Sequence, residues 1–150
     1  MNLEQLGLLG IFIAGAIPWF EAIGVVPAGI VLGLDPVWTV VAAAAGNIIT
    51  IAAFAYGGER IRNWVIARRE AKGKEVKSDR YEKAQKAFDK YGIFGMAALG
   101  PILIGTQFAA AASVAAGVKP LKVTLLISVA MVLWAVGIAW GMVALGIQIN

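Results

Sequence analysis

Charged side chains are concentrated in one stretch of this chain, and that distribution limits the available folds more than any other feature. Between residues 59 and 90 the sequence has eleven basic and six acidic residues. The remaining charged residues are Glu4, Glu21, Asp35, Lys119 and Lys122. Because the uncharged segments are long, with 60% apolar residues and a mean hydropathy of +0.80, they predict an all-α integral membrane protein.

Two of the uncharged segments are long and unbroken. Residues 36–58 form a run of 23 without a charge, and residues 123–150 form another. A bilayer core about 30 Å thick is crossed by about 20 helical residues. Each of these two segments is therefore predicted to be a transmembrane helix.

A third apolar segment, 5–34, is interrupted. Pro18, Glu21 and Pro27 divide it into parts of 16 and 13 residues, which reach roughly 24 Å and 20 Å as helices. Neither part would cross a bilayer, and Pro27 is expected to kink or end a helix. The segment is predicted to be a re-entrant hairpin of two half-helices; a single kinked transmembrane helix is the alternative.

The segment 91–118 has the same design, with Pro101 and Gly105 near its middle. The two halves of the chain are also weakly similar. GIFIAGAIP in the first half matches GIFGMAALGP in the second, and GLDPVWTV matches GVKPLKVT. A second re-entrant hairpin is therefore predicted, again followed by a transmembrane helix.

These similarities predict one membrane domain, 1–150, built as an inverted repeat. The first repeat spans 1–58, a basic connector spans 59–90, and the second, inverted repeat spans 91–150. Each repeat is a re-entrant hairpin followed by a transmembrane helix. Broken helices in oppositely oriented repeats are typical of secondary transporters.

The charges also predict an orientation in a bacterial-type cytoplasmic membrane. Basic residues favour the cytoplasmic side, so the connector 59–90 is expected in the cytoplasm and both termini outside. With two hairpins, all thirteen Lys and Arg residues lie inside, whereas four transmembrane helices would put Lys119 and Lys122 outside. Residues 81–91 are predicted to form an amphipathic helix, either attracted to anionic lipid or simply solvated.

The sequence has no Cys and no His. Disulfides, thiol catalysis, a Ser-His-Asp triad and ordinary zinc sites are therefore excluded. We expect no cofactor or metal site, and no nucleophile–base pair indicates an enzyme. The net charge of +4 comes from a connector beside membrane segments, so it does not indicate nucleic-acid binding.

Polar and helix-breaking residues within the apolar segments are the candidates for a pathway. Glu21 is expected near mid-depth, where a charge usually faces a cavity or a partner; the alternative is the head-group level. Asn47 either lines the same cavity or bonds two helices. If the hairpin tips meet, Thr106 and Gln107 approach Glu21; otherwise they make interhelical hydrogen bonds. The predicted pathway comprises Glu21, Pro27, Gly29, Asn47, Pro101, Gly105, Thr106 and Gln107.

The leading functional hypothesis is a small secondary transporter, coupled to protons or monovalent cations, with a midplane site between the hairpins. In this hypothesis Glu21 binds the proton or cation. The alternative from the same residues is a non-transporting membrane scaffold. Because so short a chain has few helices to enclose a pathway, we expect a homodimer.

Several short motifs follow one another along nearly the whole chain. They are EAIGVVPAG (21–29), GLDP (33–36), GN (46–47), YG (91–92), Pro101 and GT (105–106). In this order and spacing the chain resembles the small multidrug export protein family, a distant relative of the DedA-type (VTT-like) membrane proteins. The resemblance implies a small exporter with two re-entrant hairpins in an inverted repeat.

The DedA-type relatives imply a different substrate, undecaprenyl phosphate or another lipid, translocated with a cation gradient. In such a flippase or scramblase, Arg60 and Arg62 are the candidate head-group contacts. Two features depart from the family pattern. The family usually has an arginine soon after the matching glutamate, whereas EAIG has none, and PILIGTQ at the second break also lacks one. Both departures favour a proton or a cationic substrate.

The hairpin topology predicts the accessibility of two introduced cysteines, because the chain has no native Cys. In Leu3→Cys the label, an impermeant maleimide, should react from outside the cell. In Lys119→Cys it should react only from the cytoplasmic side. Labelling of position 119 from outside would contradict the two hairpins.

Overall fold

The computed structural model describes residues 2–18, 20–73 and 79–147, and these residues form six helices and no strand. The helices are α1 (Leu3–Ala16), α2 (Glu21–Val31), α3 (Pro36–Ala71), α4 (Asp79–Leu103), α5 (Thr106–Ala115) and α6 (Pro120–Ala144). The predicted all-α class is confirmed for the described residues.

The first break separates α1 from α2, which pack against one another. A capping box starts α1: the Asn2 side chain accepts from the Gln5 N–H, and the Gln5 side chain accepts from the Asn2 N–H. The helix ends before Pro18, because the residue preceding a proline is driven to an extended conformation; Ile17 has φ −83° and ψ 125°. The break is therefore in the predicted place.

Pro27 does not have the expected effect. It lies inside α2, which continues from Glu21 to Val31. A proline within a helix removes the single hydrogen bond to the carbonyl four residues earlier, here that of Ile23. The neighbouring Val26 and Ile30 are fully buried, so packing of this face offsets the lost bond and the helix does not end.

The second break separates α4 from α5, which also pack together. It lies at Ile104 and Gly105, where Gly105 has a φ of 97°. Pro101 lies inside α4, which continues to Leu103, so the break does not occur at this proline. A separate kink at Gly92, with φ 66° and ψ −170°, divides α4 into an amphipathic part and an apolar part. Only glycine adopts that conformation readily.

Among the described residues, two helical segments are both long and apolar enough to cross a bilayer. The apolar part of α3, Pro36–Gly58, has 23 residues and α6 has 25, lengths of about 35 Å and 37 Å. By contrast α1, α2 and α5 have 14, 11 and 10 residues, or about 21, 16 and 15 Å. Both predicted spans are confirmed in length and composition. The re-entrant, inverted arrangement of the short helices stays a prediction.

The same turn follows each helical pair. After α2, the Leu34 N–H donates to the Gly29 carbonyl and the Gly33 N–H to the Ile30 carbonyl. After α5, Val118 and Gly117 donate to Ser113 and Val114 in the same pattern. Both are Schellman turns with a left-handed glycine, and in each repeat a proline then begins the long helix. The sequence match between GLDP and GVKP thus corresponds to one local structure used twice.

The chain divides into two compact units. Unit 1 comprises Met1–Thr50 with Ser128–Asn150, and unit 2 comprises Ile51–Ile127. In unit 1, α1 and α3 approach so closely that backbones touch: a Cβ on Gly15 would meet the Ala43 carbonyl, and one on Gly46 would meet the Phe12 carbonyl. Small residues permit this kind of packing in membrane proteins.

Unit 2 contains the amphipathic part of α4. Its Ala84 is fully buried, and the Gln85 side-chain amide donates to the Ala112 carbonyl of α5 at 3.3 Å. On the inner side of the same unit, Phe54 and Phe108 meet edge to face, with ring centroids 6.1 Å apart. The amphipathic part of α4 is therefore anchored to α5, with Ala84 buried in the protein.

Adding a methyl group at Gly46 should destabilise the protein. In Gly46→Ala the new Cβ meets a backbone carbonyl that cannot rotate away, and such overpacking costs about 1–3 kcal/mol. Gly10→Ala is the matched control, because a Cβ on Gly10 meets nothing within 4 Å. Thermal unfolding in detergent should give a lower Tm for Gly46→Ala and an unchanged or higher Tm for Gly10→Ala. Equal Tm values would exclude the close approach of α1 and α3.

Candidate functional site

Buried polar side chains are few among the apolar helices, and they concentrate near the breaks and on the long helices. Unit 1 buries Glu21, Thr39, Asn47 and Ser128, and unit 2 buries Thr106, Gln107 and Ser113. These are the buried polar residues of the part of the chain that the structure describes. Burying a polar group is unfavourable unless a protein group, water or a ligand bonds it, so these residues are the starting point for a site.

Glu21 is the first residue of α2 and only 7% exposed. Its φ is 47°, in the left-handed region. For any residue other than glycine this conformation costs roughly 1–2 kcal/mol. Strain of this kind at a buried charged side chain is typical of functional sites. The sequence predicts the buried acid, but nothing in it indicates the strained backbone.

The second break shows what the backbone alone would require. Gly105, which directly precedes α5, also has a positive φ. Glycine adopts the conformation without strain. Since a glycine would suffice for the turn, the carboxylate of Glu21 needs an explanation other than turn geometry.

Gly29, a predicted pathway residue, lies at a tight helix contact. A Cβ on Gly29 would be 2.5 Å from the Thr39 Cγ2 atom of α3 and 3.0 Å from the Ile11 Cδ1 atom of α1. The structure thus gives Gly29 a packing role among α1, α2 and α3. The Thr39 hydroxyl beside it is fully buried and has no hydrogen-bond partner among the described residues.

Thr39 is a residue that the sequence reasoning missed. Thr39, Ala43 and Asn47 are spaced four apart and therefore share one face of α3, and all three are buried. That spacing is the signal that pairs Thr39 with Asn47. Asn47 itself is fully buried in mid-helix, as predicted, next to the glycine that contacts α1. Ser128 on α6, also buried and also missed, follows Thr124 by four residues, so the same spacing could have marked it.

The second break brings together two predicted residues. Thr106 and Gln107 begin α5, and both are fully buried. The Thr106 hydroxyl donates to the Gln107 Oε1 atom at 3.0 Å. Ser113, about two turns further on the same helix, donates to the Ala109 carbonyl at 2.7 Å, so its hydroxyl is satisfied within α5. The polar pair, and not Ser113, is the candidate contribution of α5 to a site.

The candidate head-group residues follow the apolar part of α3. Arg60 is exposed, whereas the side chain of Arg62 lies outside the described residues. Further along the same helix, the guanidinium of Arg68 lies 4.7 Å from the ring centroid of Trp64. Among the described residues, no three carboxylates lie together as a metal ion would require.

Comparison with known proteins gives one match. The family described as "Putative small multi-drug export protein" matches residues 21–136, more than half of the chain, beginning at Glu21. No curated protein and no solved structure matches the chain, so the resemblance to DedA-type proteins rests on short motifs alone. With two helices long and apolar enough to cross a bilayer and this match, the chain is a membrane protein that belongs to the small multi-drug export protein family.

Proposed function

We propose that this protein is a small secondary exporter whose substrate or coupling cation binds at Glu21. Export follows from the family, and the observation that carries the role of Glu21 is its burial in a strained conformation. A buried carboxylate favours a proton or a cationic group, because either one neutralises a charge that the apolar surroundings disfavour. Protons and monovalent cations are therefore the proposed coupling ions, and lipophilic cations the proposed substrates.

The distribution of basic residues supports this choice of ligand. Residues 1–50 and 128–150, which form unit 1, contain no Lys, Arg or His. The charged side chains of this unit, Glu4, Glu21 and Asp35, are therefore all acidic. This charge distribution within unit 1 favours a cation or a proton over an anionic substrate.

The rest of the proposed pathway is polar but uncharged. In unit 1, Thr39 and Asn47 offer a hydroxyl and an amide on one face of α3. In unit 2, Thr106 and Gln107 offer a second polar pair. Such groups can replace part of the water around a cation, and because they are uncharged they do not bind it too tightly for release. Pro27, Gly29, Pro101 and Gly105 would shape the backbone around these groups.

We extend the proposal to the architecture and the assembly. Two re-entrant hairpins in an inverted repeat, with the connector 59–90 in the cytoplasm, are supported by the short helices and by the Schellman turn that follows each pair. A homodimer is supported by α6, where Gly137 and Gly141 lie one turn apart and a Cβ on either meets nothing within 4 Å. Such a face permits close approach of a second copy.

A polyprenyl-phosphate flippase is the second candidate function. The observation that favours it is Arg60, exposed two residues after the apolar part of α3 ends. An arginine there can bind a phosphate with two parallel hydrogen bonds. Direct binding of a polyprenyl phosphate that Arg60→Ala weakens would favour lipid translocation over cation export.

Neutralising Glu21 should abolish coupled export. In proteoliposomes with a pH gradient, Glu21→Gln should transport a lipophilic cationic dye such as ethidium about tenfold or more slowly, because one charge at a buried site is worth several kcal/mol. Glu4→Gln is the matched control, since Glu4 is an exposed carboxylate on α1. If Glu21→Gln transports and couples like the unmodified protein, the proposed role of the carboxylate is wrong and the scaffold alternative is favoured.

Glu21→Gly should separate stability from function. Both variants lack the carboxyl, but only glycine relieves the left-handed strain of about 1–2 kcal/mol. Because the greater freedom of glycine in the unfolded chain offsets about 0.4–1 kcal/mol of this, the free energy of unfolding should be about 1 kcal/mol higher than in Glu21→Gln. Export should still be lost. Chemical unfolding in detergent, compared with dye export, measures both. A glycine variant less stable than the glutamine variant would mean that the backbone at position 21 is not strained.

A further inference from the structure

A cationic and aromatic surface lies at the open end of the second helical pair, away from its break. We call it the lysine face; its members are Lys90, Tyr91, Phe94, Lys119 and Lys122, all of them exposed. All belong to unit 2. None of them has a role in the proposed pathway.

Two ammonium–ring contacts organise this surface. The Lys122 Nζ atom, from the first turn of α6, lies 5.8 Å from the ring centroid of Phe94 on α4. The Lys90 Nζ atom lies 5.1 Å from the ring centroid of Tyr91. The start of α6 is therefore beside the start of the apolar part of α4. One side of each ammonium faces a ring, and an ammonium has three donors, so donors remain available for an anion.

The lysines occur where a helix ordinarily carries acids. In the first repeat, the Asp35 carboxylate precedes α3 and accepts a hydrogen bond from the Trp38 N–H at 3.0 Å. In the second repeat, Lys119 and Lys122 take the places that Asp35 and Trp38 have in GLDPVW. Positive side chains at the positive end of a helix repel its dipole. A bound anion would relieve that repulsion.

The second repeat cannot supply that anion itself. Residues 91–150 contain no Asp and no Glu. The nearest acid in the sequence is Asp89, on the amphipathic part of α4. Past Lys122 along α6 the exposed residues are apolar, as with Leu125 and Val129. In a membrane, basic side chains attract anionic head groups, aromatic rings lie at the interface and apolar side chains contact the acyl chains. The lysine face and the adjoining surface of α6 offer all three.

We propose that the lysine face binds the head groups of anionic phospholipids of the surrounding membrane. The phosphate contacts Lys119, Lys122 and Lys90, and Phe94 and Tyr91 lie at the level of the glycerol backbone. The amphipathic part of α4 contributes to this site only through Lys90 and Tyr91 at its end, since Ala84 further back is buried in the protein. None of these residues belongs to the proposed export pathway, so the lipid site does not depend on what the protein exports.

The test is lipid binding by the full-length protein in detergent, measured by native mass spectrometry. The unmodified protein should bind phosphatidylglycerol in preference to phosphatidylcholine. The variant Lys119→Gln with Lys122→Gln should bind phosphatidylglycerol roughly 20- to 30-fold more weakly, about fivefold for each lysine near the lipid surface. Phosphatidylcholine binding should not change. Retention of binding in Lys119→Arg with Lys122→Arg is also expected, because the charges remain.

The matched control is Lys72→Gln with Lys83→Gln. It removes the same charge from two exposed lysines outside the lysine face and should bind phosphatidylglycerol like the unmodified protein. An equal loss in both glutamine pairs would mean that only net charge matters, and the proposal would be wrong. It would also be overturned by equal binding of the two lipids, or by inorganic phosphate displacing phosphatidylglycerol at the same concentration, since the site would then take soluble phosphate.

Discussion

Backbone hydrogen bonding in an apolar medium is the constraint on which the rest of this structure depends. A bilayer core offers no water to an unpaired N–H or C=O, so each interruption of a helix must be closed locally or buried in protein. The chain closes the end of each short helical pair in the same way. Gly33 and Gly117 adopt the left-handed conformation, the last carbonyls of α2 and α5 accept two turn hydrogen bonds, and a proline begins the next helix.

The starts of α2 and α5 are not closed in this way, and buried polar side chains lie there. Neither helix has a side-chain cap at its N-terminus. The residues that follow are buried and polar: Glu21 in one case, Thr106 and Gln107 in the other. Interrupted backbone and buried polar side chains therefore coincide twice. At each break a ligand would find a helix N-terminus beside polar side chains, which is the arrangement that broken helices provide in transporters.

Charge separates the two repeats. Residues 1–58 contain three acids and no basic residue, and residues 91–150 contain two lysines and no acid. This distribution favours cations and protons as ligands of the first repeat and anions as ligands of the second. The proposals for Glu21 and for the lysine face both follow from this asymmetry. They differ in burial: Glu21 is 7% exposed, whereas Lys119 and Lys122 are at the surface. A transported ion has to reach the buried acid, while a lipid head group needs only the surface.

By itself the sequence determined the helical class, both spanning segments, the two breaks and the burial of Asn47. These depend on local chemistry: apolar length, the restriction before Pro18, and the freedom of Gly105. Tertiary structure alone decided that Pro27 and Pro101 lie inside helices, because one lost hydrogen bond is tolerated where neighbouring side chains are packed. It also decided that Gly29 contacts Thr39, that Gly46 contacts the backbone of α1, and that the connector is anchored to α5. Each of these joins residues far apart in sequence, and local pattern carries no information about such pairs.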